Sequence, residues 1–115
     1  MHSKRIFGSV DNIDVDLYTL RNSRGMEVSL TNYGGTVTSV KIPLQDGSLK
    51  EVVLGFETLD DYLRSTHFIG ALIGRYANRI AEGCFSLAGR SYTLAQNNGS
   101  NHLHGGDTGF DKRLW

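Results

Sequence analysis

Met26-Glu27-Val28-Ser29-Leu30-Thr31 is the stretch that decides the fold class. Apolar Met26, Val28 and Leu30 alternate with Glu27, Ser29 and Thr31. Alternation with period two marks a strand with one buried face, because successive strand side chains point to opposite sides. Outward from it, Asn32-Tyr33-Gly34-Gly35 breaks or bulges the chain, and Val37 to Ile42 resumes as a strand. Gln45-Asp46-Gly47-Ser48 then predicts a hairpin, since Asp-Gly tolerates the positive φ of a type I′ turn. Val52-Val53-Leu54 is its return strand. On the other side, Asn22-Ser23-Arg24-Gly25 reads as a turn. Val15, Leu17 and Tyr18 alternate loosely toward Leu20, and Ile6 to Val10 forms a first strand.

Further along, Phe85-Ser86-Leu87, Ala88-Gly89 and Arg90 to Leu94 predict a second hairpin with Tyr92 and Leu94 on one face. The one helical stretch is Thr58 to Leu63, where Thr58 can cap and Asp60 and Asp61 suit the positive end of the helix dipole. Gly70 to Ile80 reads as strand or loop. Fourteen glycines and one proline punctuate short runs rich in β-branched and aromatic residues. The expected class is all-β, an antiparallel β-sandwich built from meanders, with no internal domain boundary. A compact domain of 115 residues buries roughly two-thirds of its unfolded surface, which is enough for a core.

Twelve Lys and Arg balance twelve Asp and Glu. That balance gives no electrostatic ground for a nucleic-acid partner or an anionic membrane. No apolar run approaches the roughly 20 residues that span a bilayer. Met1-His2-Ser3-Lys4-Arg5 is not followed by the apolar core of a secretory signal. With Cys84 the single cysteine, the expected location is cytoplasmic. Cys84 itself is expected to be a small, half-buried strand residue. Asn98-Gly99-Ser100 matches the glycosylation acceptor pattern and is taken as a chance match.

The chemistry-bearing residues gather late in the chain. Arg75 and Arg79 flank Tyr76-Ala77-Asn78 and are bordered by Ala71, Leu72, Ile73 and Ile80. An arginine among apolar neighbours needs a partner. Such an arginine, Arg75 or Arg79, either aims its donors at a ligand's oxygens, with Asn78 beside Arg79 adding donor and acceptor capacity, or pairs with an internal carboxylate such as Glu82. Asn97-Asn98-Gly99-Ser100-Asn101-His102-Leu103-His104-Gly105-Gly106 brings two imidazoles into a glycine-rich segment. In an extended segment His102 and His104 share a face, so a metal site with Asp107 is one reading. Such a site is partly like the cupin pattern, without its later Glu. A second reading has one histidine bonding to a substrate or exchanging a proton with it. A third has both bonded to backbone. No Ser-His-Asp or Cys-His order and no phosphate-cradling glycine loop is present.

Taken together, Gly74-Arg75-Tyr76-Ala77-Asn78-Arg79-Ile80, Asn97-Asn98 through Leu103-His104-Gly105-Gly106, and Gly109-Phe110-Asp111-Lys112 with Trp115 resemble the aldose 1-epimerase (galactose mutarotase) family. Asn32-Tyr33-Gly34-Gly35 and Val52-Val53-Leu54-Gly55-Phe56 are similar to its earlier segments, in the same order. The resemblance covers nearly the whole chain. It implies a β-sandwich enzyme that interconverts the α and β anomers of free aldoses such as galactose and glucose, without a cofactor or metal. The family chemistry it implies is acid–base: a Glu takes the C1 hydroxyl proton, a His protonates the ring oxygen, and the ring opens and recloses. It carries a sugar-binding role onto Arg79 with Asn78, and a sugar-orienting role onto His104, while His102 matches no site position.

Family members are considerably longer. Residues 1–115 therefore look like the N-terminal part of a single mutarotase-like domain, without the second His and the Glu base. The fragment is expected to be inactive alone and to expose strand edges and apolar surface. The alternatives are a cupin-like metal-binding sandwich using His102, His104 and Asp107, and a non-catalytic carbohydrate-binding module complete at this length. A relative acting on hexose 6-phosphate is a further variant within the first class.

Overall fold

The alternating stretch becomes a strand in the middle of a five-stranded antiparallel sheet in the computed structural model, which describes residues 1–115. The strands are β1 (His2–Val10), β2 (Ile13–Arg21), β3 (Glu27–Thr31), β4 (Val37–Pro43) and β5 (Leu49–Glu51), in the order β1-β2-β3-β4-β5. A short helix α1 (Leu59–Arg64) follows. Two small antiparallel ribbons complete the structure. One pairs β6 (Arg79–Ile80) with β9 (His102–Leu103), and the other pairs β7 (Cys84–Leu87) with β8 (Arg90–Thr93). No helix is long and apolar enough to cross a membrane.

The all-β antiparallel expectation holds, and several boundaries move. β1 begins at His2 rather than Ile6, because it pairs along its length with β2, from His2 opposite Leu20 to Val10 opposite Ile13. The turn between them is Asp11-Asn12, both with positive φ (50° and 63°). That is the primed geometry the right-handed strand twist favours, supplied by the two side chains that tolerate it next best after glycine. The Asp46-Gly47 turn is not type I′: only Gly47 has positive φ, at 83°. The loop is longer, closed by Leu44 N–H to Ser48 O at 2.8 Å and Gly47 N–H to Leu44 O at 3.0 Å. Its return strand is Leu49–Glu51, ahead of the expected Val52–Leu54. The Glu51 carboxylate gathers several donors at this point. It accepts from the Ser39 hydroxyl, from Val40 N–H at 2.8 Å and from Val52 and Val53 N–H at 3.2 and 3.3 Å. Val52 N–H also donates to Val40 O at 2.9 Å, so backbone contact with β4 runs one residue past β5.

Thr58 caps α1 as expected, accepting from Asp61 N–H at 3.3 Å. The helix buries Leu59 on β1 beside Gly8, where a Cβ would stand 2.8 Å from the leucine side chain. Val15, Leu17 and Leu59 are the buried apolar residues. This core is thin for the chain length. The radius of gyration is 17.4 Å, against about 13 Å for a compact domain of this size. Leu54, Leu87, Ile6 and Trp115 stay exposed. Cys84 is exposed rather than half-buried, because β7 and β8 form an isolated ribbon with no layer against it.

The last residues dock back onto the loop between β3 and β4. Gly34 N–H donates to Arg113 O at 2.7 Å, Leu72 N–H to Gly34 O at 3.0 Å, and Trp115 N–H to Asn32 O at 2.9 Å. Gly34 has a φ of 65°, and a Cβ there would collide with the Asp111 carbonyl. Only glycine meets both conditions. This junction ties the sheet to the segments that carry the site.

Gly34→Ala is therefore expected to lower unfolding free energy by about 2 kcal/mol or more. Gly47→Ala, with positive φ but open space around it, should cost about 1 kcal/mol. Denaturant midpoints check the order, and equal losses would contradict the junction. A second expectation concerns acid. The Ser39 hydroxyl, first, and the surrounding amides hold the Glu51 carboxyl below its ordinary value of 4.5. A depressed folded value gives stability that is present above about pH 4.5 and lost as pH falls through the folded value. Glu51→Gln should flatten the acid limb of stability against pH, and an unchanged limb would contradict it.

Candidate functional site

The β6–β9 ribbon sets the register of the site: Ile80 lies opposite His102, and Arg79 opposite Leu103. One step beyond the pairing, Asn78 and His104 face each other across its open end. Both are left-handed, with φ of 62° and 52°. Asn78 N–H donates to His104 Nδ1 at 2.9 Å, and His104 N–H donates to Asn78 O at 3.0 Å. Left-handed backbone costs an ordinary residue about 1–2 kcal/mol, and asparagine tolerates it. Two hydrogen bonds of roughly 1 kcal/mol net each offset that cost. Because Nδ1 accepts, the proton of the neutral ring sits on Nε2, which is left as a donor.

Arg79 is held by the same asparagine and by Asn98. Its Nε–H donates to Asn98 Oδ1 at 2.9 Å and its Nη1 to Asn78 Oδ1 at 3.4 Å. It makes no ion pair, so the expected alternative partner Glu82 is not one. Arg79 and Arg75 are both exposed rather than set among apolar side chains. Arg75 instead lies over the Phe110 ring at 5.6 Å. The remaining Nη hydrogens of Arg79 have no protein acceptor. Asn98 stands in a tight turn, in which it and Asn101 exchange backbone hydrogen bonds of 3.0 Å.

Asn97 serves a different end. Its Oδ1 accepts from Leu103 N–H at 2.7 Å and its Nδ2 donates to Leu103 O at 2.9 Å, replacing a missing strand neighbour for β9. Phe68 packs edge-on against the His104 ring at 4.7 Å, and Lys112 Nζ lies 5.7 Å from the Phe68 ring. A cleft of about 550 Å³ adjoins these groups, lined by Phe68, Asn97, Asn98, Asp107, Asp111 and Lys112 among others. Asp111 Oδ2 pairs with Lys112 at 3.2 Å while its buried Oδ1 has no partner. Burial pushes the Tyr33 phenol up, and the charge of Asp111 adds to this.

His102 belongs elsewhere. It is 6% exposed, and its Nδ1 lies 2.8 Å from Ala95 O. A carbonyl only accepts, so here Nδ1 carries the proton. The left-handed turn at His104 breaks the alternation that would have set both rings on one face. His102, His104 and Asp107 are not brought together, and no three His, Cys, Asp or Glu side chains stand where they could hold a metal ion. The structure thus unites Asn78, Arg79 and His104, turns His102 onto Ala95 O, and leaves Asp107 on the wall of the cleft. Phe68 and the side chain of Asn98 are the contacts that sequence patterns do not disclose. Asn98 had a signal only as part of the Asn97-Asn98 motif, and Phe68 had none.

A family model described as aldose 1-epimerase matches residues 16–115. The aldose 1-epimerase of Escherichia coli (strain K12) is 50% identical over 99 residues, covering 86% of this chain and 29% of that protein. The galactose mutarotase of Bos taurus is 45% identical over 101 residues, covering 88% of this chain and 29% of that protein. Among solved structures, the galactose 1-epimerase of Lactobacillus acidophilus NCFM matches with a TM-score of 0.84 and 33% identity, covering 100% of this chain and 33% of that one. An aldose epimerase homologue from C. elegans matches with a TM-score of 0.79 and 35% identity, covering 84% of this chain and 30% of that one. The chain thus spans about a third of the length of the relatives it matches. Its antiparallel architecture is theirs over that length.

The two histidines are expected in opposite tautomers. Long-range proton–nitrogen NMR correlations of the rings near neutral pH should show His104 protonated on Nε2 and His102 on Nδ1. The same tautomer in both would contradict the geometry.

Proposed function

The chain belongs to the aldose 1-epimerase family, and on that premise we propose that residues 1–115 are the N-terminal part of one mutarotase-like domain and supply the sugar-orienting half of its site. The full-length protein, this chain with the remaining length its relatives carry, would interconvert the α and β anomers of free aldoses such as galactose and glucose. One observation carries this reading. Asn78 links two donor groups: its N–H engages His104 Nδ1, which leaves Nε2–H free, and its Oδ1 accepts from Arg79 Nη1.

A free aldose is neutral and rich in acceptor oxygens. Arg79 has donors to spare and no carboxylate neutralising it, and His104 adds a directed donor beside it. These groups can grip hydroxyls and the ring-oxygen region and hold the ring in one orientation. Anomer exchange then needs a base to take the C1 hydroxyl proton and an acid to protonate the ring oxygen, so that the C1–O5 bond breaks. C1 rotates, the ring recloses on the other face, and the protons are returned. No electrons change hands, and no redox cofactor is called for. His104 Nδ1 is occupied by an amide, so His104 stands here as a donor rather than a base. Proton transfer falls to the second His and the Glu that the family reaction uses. Orientation without proton transfer leaves this chain inactive alone.

Polarimetry of fresh α-D-galactose tests both halves of the proposal. The 115-residue chain should leave mutarotation at the solvent rate. In the full-length protein, Arg79→Ala or His104→Ala should slow it by roughly 100-fold, the scale of a lost orienting contact. Clear acceleration by the chain alone would overturn the division of labour. Unchanged rates in both variants would overturn the site.

A further inference from the structure

Arg79 is the long, flexible member of the donor pair, and what fixes it decides whether its donors are pre-aimed. A free arginine side chain loses about 2 kcal/mol of rotamer entropy when it is immobilised. That loss either falls on sugar binding or has already been met in the folded protein. Two carboxamides meet the guanidinium. The contact from Asn78 is long, at 3.4 Å. The contact from Asn98 is short, at 2.9 Å, and falls on Nε, the one guanidinium nitrogen that is part of the side chain's own stem. Holding Nε fixes the plane of the guanidinium and leaves Nη1 and Nη2 pointing away from the backbone.

Asn98 is itself anchored. It and Asn101 close the turn through reciprocal backbone hydrogen bonds of 3.0 Å. Asn101 Oδ1 then accepts from Glu82 N–H at 3.2 Å, tying the turn to the chain just past β6. The acceptor for Nε therefore stands on backbone linked to the strand that carries Arg79. Its orientation is forced, since Arg79 can only donate and the atom facing it must be oxygen.

We propose that Asn98 is a positioning residue: its Oδ1 locks the Arg79 guanidinium so that the Nη groups meet the sugar already aligned. This rests on the assignment of Arg79 to the sugar site, and it adds a residue whose role is exerted only through Arg79. Asn98→Asp keeps an acceptor oxygen in place, whereas Asn98→Ala removes it and leaves the backbone turn intact.

Two measurements on the full-length protein test it. In nitrogen-15 spectra, the Arg79 Nε–H, identified by its loss in Arg79→Lys, should exchange slowly with water in the wild type and in Asn98→Asp. It should exchange fast in Asn98→Ala. Slow exchange in Asn98→Ala overturns the lock, whatever the ligand. In D-galactose titrations, Asn98→Ala should weaken binding roughly tenfold, and Asn98→Asp should stay within about threefold of wild type. In an Arg79→Ala background, Asn98→Ala should add nothing further, because non-additivity is the mark of a shared contact. Additive losses would overturn the proposal in favour of a general structural role. Absence of galactose binding by the wild type, with the slow Nε–H retained, would strike the sugar reading and leave the lock standing.

Discussion

Asn78 N–H donates to His104 Nδ1, and His104 N–H returns to the Asn78 carbonyl. The rest of the site depends on this exchange. It requires both residues to leave the β-region just where the β6–β9 ribbon ends, and the left-handed bend at each brings the two backbones face to face. From that position Asn78 can also offer Oδ1 to Arg79. Without the bend, His104 would continue the strand, share a face with His102, and carry its proton on whichever nitrogen its new surroundings chose. The segment would then be closer to a metal-binding pattern than to a pair of aimed donors.

The five-stranded sheet matters to this arrangement as a frame. Gly34 lets the turn between β3 and β4 receive the backbone of Asp111 and Arg113, and Leu72 hangs from the same glycine's carbonyl. The segment before β6 and the segment after β9 are thereby fixed to one loop. Gly105, at a φ of 97° and seated against the Gly74 carbonyl, makes the crossing of those segments close enough for the ribbon to form. The thin core of Val15, Leu17 and Leu59 stabilises the sheet end near α1. Hydrogen bonds between irregular segments, rather than buried apolar area, set the geometry around His104.

The strands were legible where apolar and polar residues alternate, as in residues 26–31, although both faces of β3 are half-buried and its one fully buried residue is Thr31, on the polar side. The Phe85–Leu94 hairpin was legible from its Ala88-Gly89 turn and β-prone residues, while both its strands stay exposed. Thr58 was legible as a helix cap for a local reason, its bond to Asp61. The Asp11-Asn12 turn was not, since its signal lacks the glycine that usually marks primed turns. The length of the loop around Asp46-Gly47 was hidden because its closure, Leu44 N–H to Ser48 O, is a backbone contact that leaves no mark in the sequence. At the site, Arg79, Asn78 and His104 came from motif resemblance. Their chemistry came only from geometry: which imidazole nitrogen is engaged, that Glu82 is not the arginine's partner, and that Asn98 is. Phe68 reaches His104 through tertiary packing alone, which no local pattern encodes.

The most direct test is a crystal structure of the full-length protein with D-galactose bound. The account predicts a sugar oxygen within hydrogen-bond distance of His104 Nε2 and another on the Arg79 Nη groups, with the Asn78–His104 exchange unbroken. A sugar bound away from this pair, or one that displaces the Asn78 amide from Nδ1, would contradict it.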